Sequence, residues 1–220
     1  MLEELHEDLK MYLDKDTDLG DFIKHPLLFW AGYDDSFIEV INSAYKAKLK
    51  EAEKERKAKK WENWLMLHER PYRLDAFMSI ASELDKKNYW ELLSRIWIDT
   101  EFPTVNKDIW IQLFTRKLPN KRKLMSGKER RVLARLPDKD INVFRGYSDD
   151  EHADGISWTL SYEKAEEFAK RWGSEDAKIA EGMCKKEDIL AFLNGRNEEE
   201  IIIDPEKVRV LRSQGILITN

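Results

Sequence analysis

Along the first half of the chain, apolar residues recur at three- and four-residue intervals, the period of a helix with one buried face. The pattern predicts helices over Leu2–Leu13, Ser36 to about Glu69, Leu74–Leu84, Tyr89–Ile98 and Lys107–Phe114, punctuated by Pro26, Pro71, Pro103 and Pro119. Within the second of these, "AYKAKLKEAEKERKAKK" has almost no apolar stripe and interleaves Glu51, Glu53 and Glu55 with lysines. It reads as a solvated helix face held by Glu–Lys pairs, with "WENWLMLH" returning to the core. His68 in "LHER" lacks a second histidine four residues on, so it reads as an ordinary helix residue and not as a metalloprotease ligand.

From Asp140 the texture changes to short runs of strand character separated by turns: "INVFRGY", "GISWTLS", "AKIAEGMC", "EEEIIID", "KVRVL" and "GILIT". Two helical intervals interrupt them. "SYEKAEEFAKRW" has Ser161 as N-cap and apolar residues at Ala165, Phe168, Ala169 and Trp172, while "KKEDILAFLNG" is closed by Gly195. The expected fold class is α+β, a helical lobe over residues 1–138 followed by a compact β-rich lobe over 139–220.

The composition, 42% hydrophobic and 11% aromatic with eight Trp, excludes global disorder in spite of 37% charged residues. A single cysteine, Cys184, excludes an intramolecular disulfide and a Cys-rich zinc site, and it reads as a buried structural thiol. The first sixteen residues form no apolar signal core and no run is long enough to span a membrane, so the expected location is the cytoplasm. The net charge of -5 conceals a division. Residues 116–135 carry nine Lys or Arg against the one acid Glu129, whereas residues 147–206 carry seventeen Asp or Glu against seven Lys or Arg. Such a basic block is a candidate polyanion-binding surface, or a solvated helix face.

Candidate chemistry gathers in the second lobe. Three carboxylates, Glu198 to Glu200, abut Ile201–Ile203. They read either as a solvated loop ahead of a core strand or, if the strand begins early, as a pair, Glu198 and Glu200, on one strand face. Arg145 ends an apolar strand just before Gly146, where a guanidinium could grip a phosphate. Ser157 and Thr159 share a face of another strand with Trp158 opposite. His152 lies on the loop between these two, where the plain expectation is solvation.

Taken in order, "VFRG" around Arg145, "GISWT" followed by "AEEFAKR", and "NEEEIII" resemble the arginine-type branch of the ADP-ribosyltransferase superfamily, whose signature is Arg, then Ser-Thr-Ser, then Glu-x-Glu. Ser157-Trp158-Thr159 stands here in place of Ser-Thr-Ser. The resemblance covers the second lobe and implies a split β-sandwich there, with NAD as substrate and no metal. It implies that Glu200 stabilises an oxocarbenium-like transition state and that Glu198 activates the acceptor as a general base. Arg145 and Gly146 would contact the pyrophosphate or ribose. Ser157 would orient Glu200, Thr159 would support the strand or the nicotinamide side, and Trp158, Tyr162 and Phe168 would complete the NAD site. The activity implied is mono-ADP-ribosyl transfer to a macromolecule, a protein arginine or an RNA or DNA base. A cytoplasmic toxin or an effector of conflict between bacteria and phages fits the resemblance, with an antitoxin or regulatory protein as a further partner and no membrane. Lys121, Arg122, Lys123, Arg130 and Arg131 are the residues expected to guide a polyanionic acceptor. Two other functions stay open: a nucleic-acid-binding module with a structural acidic lobe, and an NAD glycohydrolase that passes ADP-ribose to water.

Overall fold

The computed structural model of the chain describes residues 3–215 apart from 16, 102, 172, 174 and 175. The start of the predicted Leu2–Leu13 helix, Trp172 and nearly all of the "GILIT" strand therefore lie outside the described residues. The chain divides into two compact units, Met1–Leu84 and Asp85–Asn220. The division falls well before residue 138, where the change of texture places it, because the helices from residue 86 onward pack and hydrogen-bond with the C-terminal sheet.

In the first unit, helix α1 covers only Glu7–Lys10, and the chain then builds an antiparallel three-stranded sheet of β1 (Leu13–Asp14), β2 (Phe22–His25) and β3 (Leu28–Ala31). No strand was expected here, since each is four residues or fewer and too short to display its period. Pro26 and Leu27 make the tight turn between β2 and β3, and the His25 ring fixes it by accepting a hydrogen bond from the Leu27 N–H at 3.0 Å. The expected helix from Ser36 to Glu69 is two helices, α2 (Ile38–Lys57) and α3 (Trp61–Met66), parted where Lys59 takes φ 52°. Glu55, which the pattern places on the solvated face, is instead buried at this break, where it accepts a hydrogen bond from Asn63 at 2.6 Å. Helix α4 (Arg73–Ile80) closes the unit, whose core includes Leu9, Ile23, Ile41, Leu65 and Phe77.

The second unit opens with α5 (Lys86–Ile98), N-capped by the Asp85 carboxylate, and α6 (Lys107–Thr115). Trp97 of α5 packs edge-on against Trp110 and Phe114 of α6. A 3-10 turn over Lys121–Leu124 leads into α7 (Gly127–Arg135), which begins with a capping box between Ser126 and Glu129. The other Glu129 oxygen accepts from the Asn194 N–H at 2.7 Å, tying the basic segment to the sheet.

That sheet is antiparallel and six-stranded: β4 (Ile141–Tyr147), β5 (Ser157–Thr159), β6 (Lys178–Cys184), β7 (Ile189–Leu193), β8 (Glu200–Ile203) and β9 (Arg209–Gly215), with helix α8 (Tyr162–Lys170) inserted after β5. Its spatial order is β7-β8-β5-β4-β6-β9. One apolar cluster joins Ile141, Val143, Trp158, Phe192, Ile201 and Val208 and receives Leu133 of α7; another joins Ala165 and Ala169 of α8 to Ile179. The α+β class is as expected. One expected helix is not formed: in "KKEDILAFLNG" only Lys186–Asp188 make a 3-10 turn, and Ile189–Leu193 pair with β8 as a strand. Five consecutive apolar residues match a buried strand as well as a helix, and β7 is in contact with both α6 and α7.

Candidate functional site

Within the second unit, a cavity of about 510 Å³ is lined by Trp97, Phe144, Arg145, His152, Ser157, Phe168, Arg171, Arg196 and Glu200 among others. That volume is in the usual range for a small-molecule site. Its floor follows from strand alternation. Ser157 and Thr159 face the same side of β5, while the Trp158 ring turns into the apolar cluster and donates its indole N–H to the Gly155 carbonyl. Antiparallel pairing places Thr159 opposite Glu200, and β7 covers the other flank through Leu193.

Glu200 is 5% exposed. Its Oε1 accepts from Ser157 Oγ at 2.5 Å and its Oε2 from the indole Nε1 of Trp97 at 3.0 Å. Burial raises its pKa above the ordinary glutamate value, and the hydrogen bonds from Ser157 and Trp97 and the nearby Arg196 oppose that rise. The site thus holds a desolvated carboxylate in one orientation, which favours a positive charge beside it.

Strand β8 begins at Glu200 and does not extend back to Glu198, so the two carboxylates do not share a strand face. The preceding loop turns through left-handed residues at Asn197 (φ 59°) and Glu199 (φ 48°), and the Glu199 N–H is held by the Asn194 side chain at 2.9 Å. Glu198 lies between two guanidinium groups, 2.8 Å from Arg196 and 3.9 Å from Arg171. Arg196 also donates to the Ile98 carbonyl at the end of α5. The Glu198 carbonyl accepts from Thr159 Oγ1 at 2.7 Å, so Thr159 secures this loop to β5.

Arg145 reaches the cavity, but most of its donors are engaged within the protein. Nε and Nη2 donate to the His152 carbonyl at 3.1 and 2.9 Å, Nη1 to the Ser157 carbonyl at 2.5 Å, and Nη2 also to Thr104 at 3.3 Å. Burial lowers its pKa to about 10, far enough above neutrality to keep the charge. The guanidinium therefore braces the loop from His152 to Ser157. Gly155 lies flat against it, where a Cβ would approach Nη2 to 2.0 Å. His152 contributes its carbonyl to this brace and also lines the cavity.

Of the aromatic candidates, Phe168 lines the cavity with the Arg171 guanidinium 4.6 Å from its ring centre. Its ring is half-buried, unlike Ala165 and Ala169 on the same helix, which are fully buried. Tyr162 instead packs edge-on against Phe144 and accepts from Gln214. Gly146 lines the cavity and also serves packing: a Cβ there would come within 1.8 Å of the Ala165 carbonyl oxygen, so its lack of a side chain is what lets α8 rest on β4. Cys184 is buried, and burial raises its pKa to about 11.

The basic segment is partly engaged in its own fold. The Lys121 ammonium lies 5.7 Å from the Trp90 ring centre, Lys123 pairs with Glu91 at 3.6 Å, Arg130 donates to the Arg122 carbonyl at 2.8 Å, and Arg131 donates to the Gly127 carbonyl at 3.0 Å. Arg122 is exposed. Among the described residues none of these five lines the cavity.

Trp97, Arg171 and Arg196 join the site without having been singled out in the sequence. Among the described residues, no group of three or more His, Cys, Asp or Glu side chains is placed to hold a metal ion, and no helix is long and apolar enough to cross a membrane. No family model, curated protein or solved structure matches the chain.

Proposed function

We propose that the second unit cleaves NAD at the bond between nicotinamide and ribose and transfers ADP-ribose to a macromolecular acceptor. The observation that carries this is Glu200, a buried carboxylate with both oxygens hydrogen-bonded at the floor of a cavity of small-molecule size. As the glycosidic bond lengthens, nicotinamide leaves with the electron pair and the ribose gains oxocarbenium character. Glu200, already oriented and shielded from water, stabilises that charge without reorganising. Phe168 offers a face for the nicotinamide ring, and Arg171 beside it offers donors to the pyrophosphate. Arg145 acts here as the brace of the site wall. On this reading the six-stranded sheet carries the NAD site, and it does so as one continuous antiparallel sheet where the resemblance implies a split β-sandwich.

The acceptor is a protein arginine or a nucleic-acid base, and Glu198 would take its proton. Because Glu198 is already paired with Arg196, a guanidinium acceptor has to displace that pair. This favours a second reading, hydrolysis, in which water takes the ADP-ribose. Incubating the purified protein with labelled NAD, with and without whole-cell lysate, separates the outcomes. Nicotinamide release with label on a macromolecule supports transfer, release with free ADP-ribose supports hydrolysis, and no release overturns both.

A further inference from the structure

Glu200 and Trp97 are 103 positions apart in the chain, and their contact is set by how α5 lies against the sheet within one compact unit. The Trp97 indole is buried and held on its other side by Trp110 and Phe114, both edge-on, with ring centres 5.0 and 5.2 Å away. It therefore has little freedom to leave the carboxylate. Ser157 reaches the opposite oxygen, so the two donors clamp the carboxylate from two sides.

We propose that Trp97 is a positioning residue of the reaction, fixing the orientation and the ionisation of the Glu200 carboxylate through its indole N–H. This role rests on the NAD-cleaving function of Glu200. The donor stabilises the charged form of Glu200, so its loss disfavours ionisation and lets the carboxylate rotate. Other charged or titratable groups around Glu200 are Arg145 and Tyr147 of β4, Arg196 and Glu198 of the loop before β8, and Glu101, Asp149, His152 and Arg171 on the cavity wall. All of them persist when Trp97 alone is changed, so the comparison isolates the indole donor.

Trp97→Phe keeps an aromatic ring against Trp110 and Phe114 and removes the donor. The expected result is a kcat for NAD cleavage lower by about tenfold, as for loss of a hydrogen bond to a charged group, with KM nearly unchanged. The acid limb of the pH profile should move to higher pH, because Glu200 becomes harder to ionise. Unchanged kcat with an unmoved acid limb would overturn the role.

A second measurement needs no NAD and leaves Trp97 in place. In protein labelled with nitrogen-15, one indole N–H resonance should titrate with pH in the wild type and stop titrating in Glu200→Gln. An identical set of pH-dependent indole resonances in both proteins would overturn the coupling. Were the wild type to cleave no NAD, the function proposed for Glu200 would fail, and this spectrum would still decide whether the Trp97 indole is coupled to the Glu200 carboxylate.

Discussion

At the scale of single residues, the site turns on a carboxylate that the fold charges at a cost. The raised pKa of Glu200 has a signed consequence for stability. A carboxyl harder to ionise in the folded state loses stability as pH rises from the unfolded value through the folded one. Glu200→Gln can keep both contacts, its carbonyl accepting from Trp97 and its amide donating to Ser157, and it carries no charge. Its melting temperature should therefore gain on the wild type as pH rises through that window and level off above it. A gap that widens toward acid would contradict the burial of an ionised Glu200. Part of this site was legible in the sequence. Alternation puts Ser157 and Thr159 on one face of β5, and the resemblance implies that Ser157 orients Glu200, a contact the structure makes by pairing β5 with β8. Trp97 was not legible, since no local period records a partner on a strand 103 positions away. The sequence leaves open whether Glu198 shares a strand face with Glu200, and the left-handed turn at Glu199, invisible to a period of two, ends the strand before it reaches Glu198.

At the scale of elements, the second unit depends on close approach between α8 and β4, which brings Phe168 and Arg171 to the cavity over Gly146. A Cβ at residue 146 would meet backbone atoms, Ala165 O at 1.8 Å and Ala169 N at 2.6 Å, and neither can turn aside as a side chain can. Gly146→Ala should lower stability by about 3 kcal/mol, the upper end of typical overpacking costs, read as a fall in denaturant midpoint. A midpoint equal to wild type would mean that α8 does not rest on β4 as described. Helix α8 was legible from its Ser161 cap and its spacing of Ala165, Phe168 and Ala169. Strand β7 was not, since an apolar run with charged residues before it and glycine after it fits either element until its partners are known. The three short strands of the first unit escaped for the opposite reason, having too few residues to show a period.

At the scale of the whole molecule, charge is segregated along the chain: residues 116–135 are strongly basic and residues 147–206 strongly acidic, both within the second compact unit. Lys121 and Arg130 have packing roles there, so the electrostatic role is best probed at Arg122, Lys123 and Arg131. Replacing these three with Gln should leave NAD cleavage within about twofold, as for surface groups outside the cavity. Labelling of RNA or DNA should weaken and its salt dependence flatten, because fewer counterions are released on binding. Labelling with an unchanged salt slope would remove these residues from acceptor binding. Label that survives nucleases and is lost to protease would make the acceptor a protein.

The most direct measurement is nicotinamide release by purified wild type and Glu200→Gln at equal concentration, each with its thermal melt recorded. Loss of a preorganised electrostatic stabiliser costs about 10²–10³-fold in rate, so Glu200→Gln should fall by that factor or more while remaining folded. A folded Glu200→Gln that releases nicotinamide at the wild-type rate, or a wild type that releases none, would contradict a function built on this carboxylate.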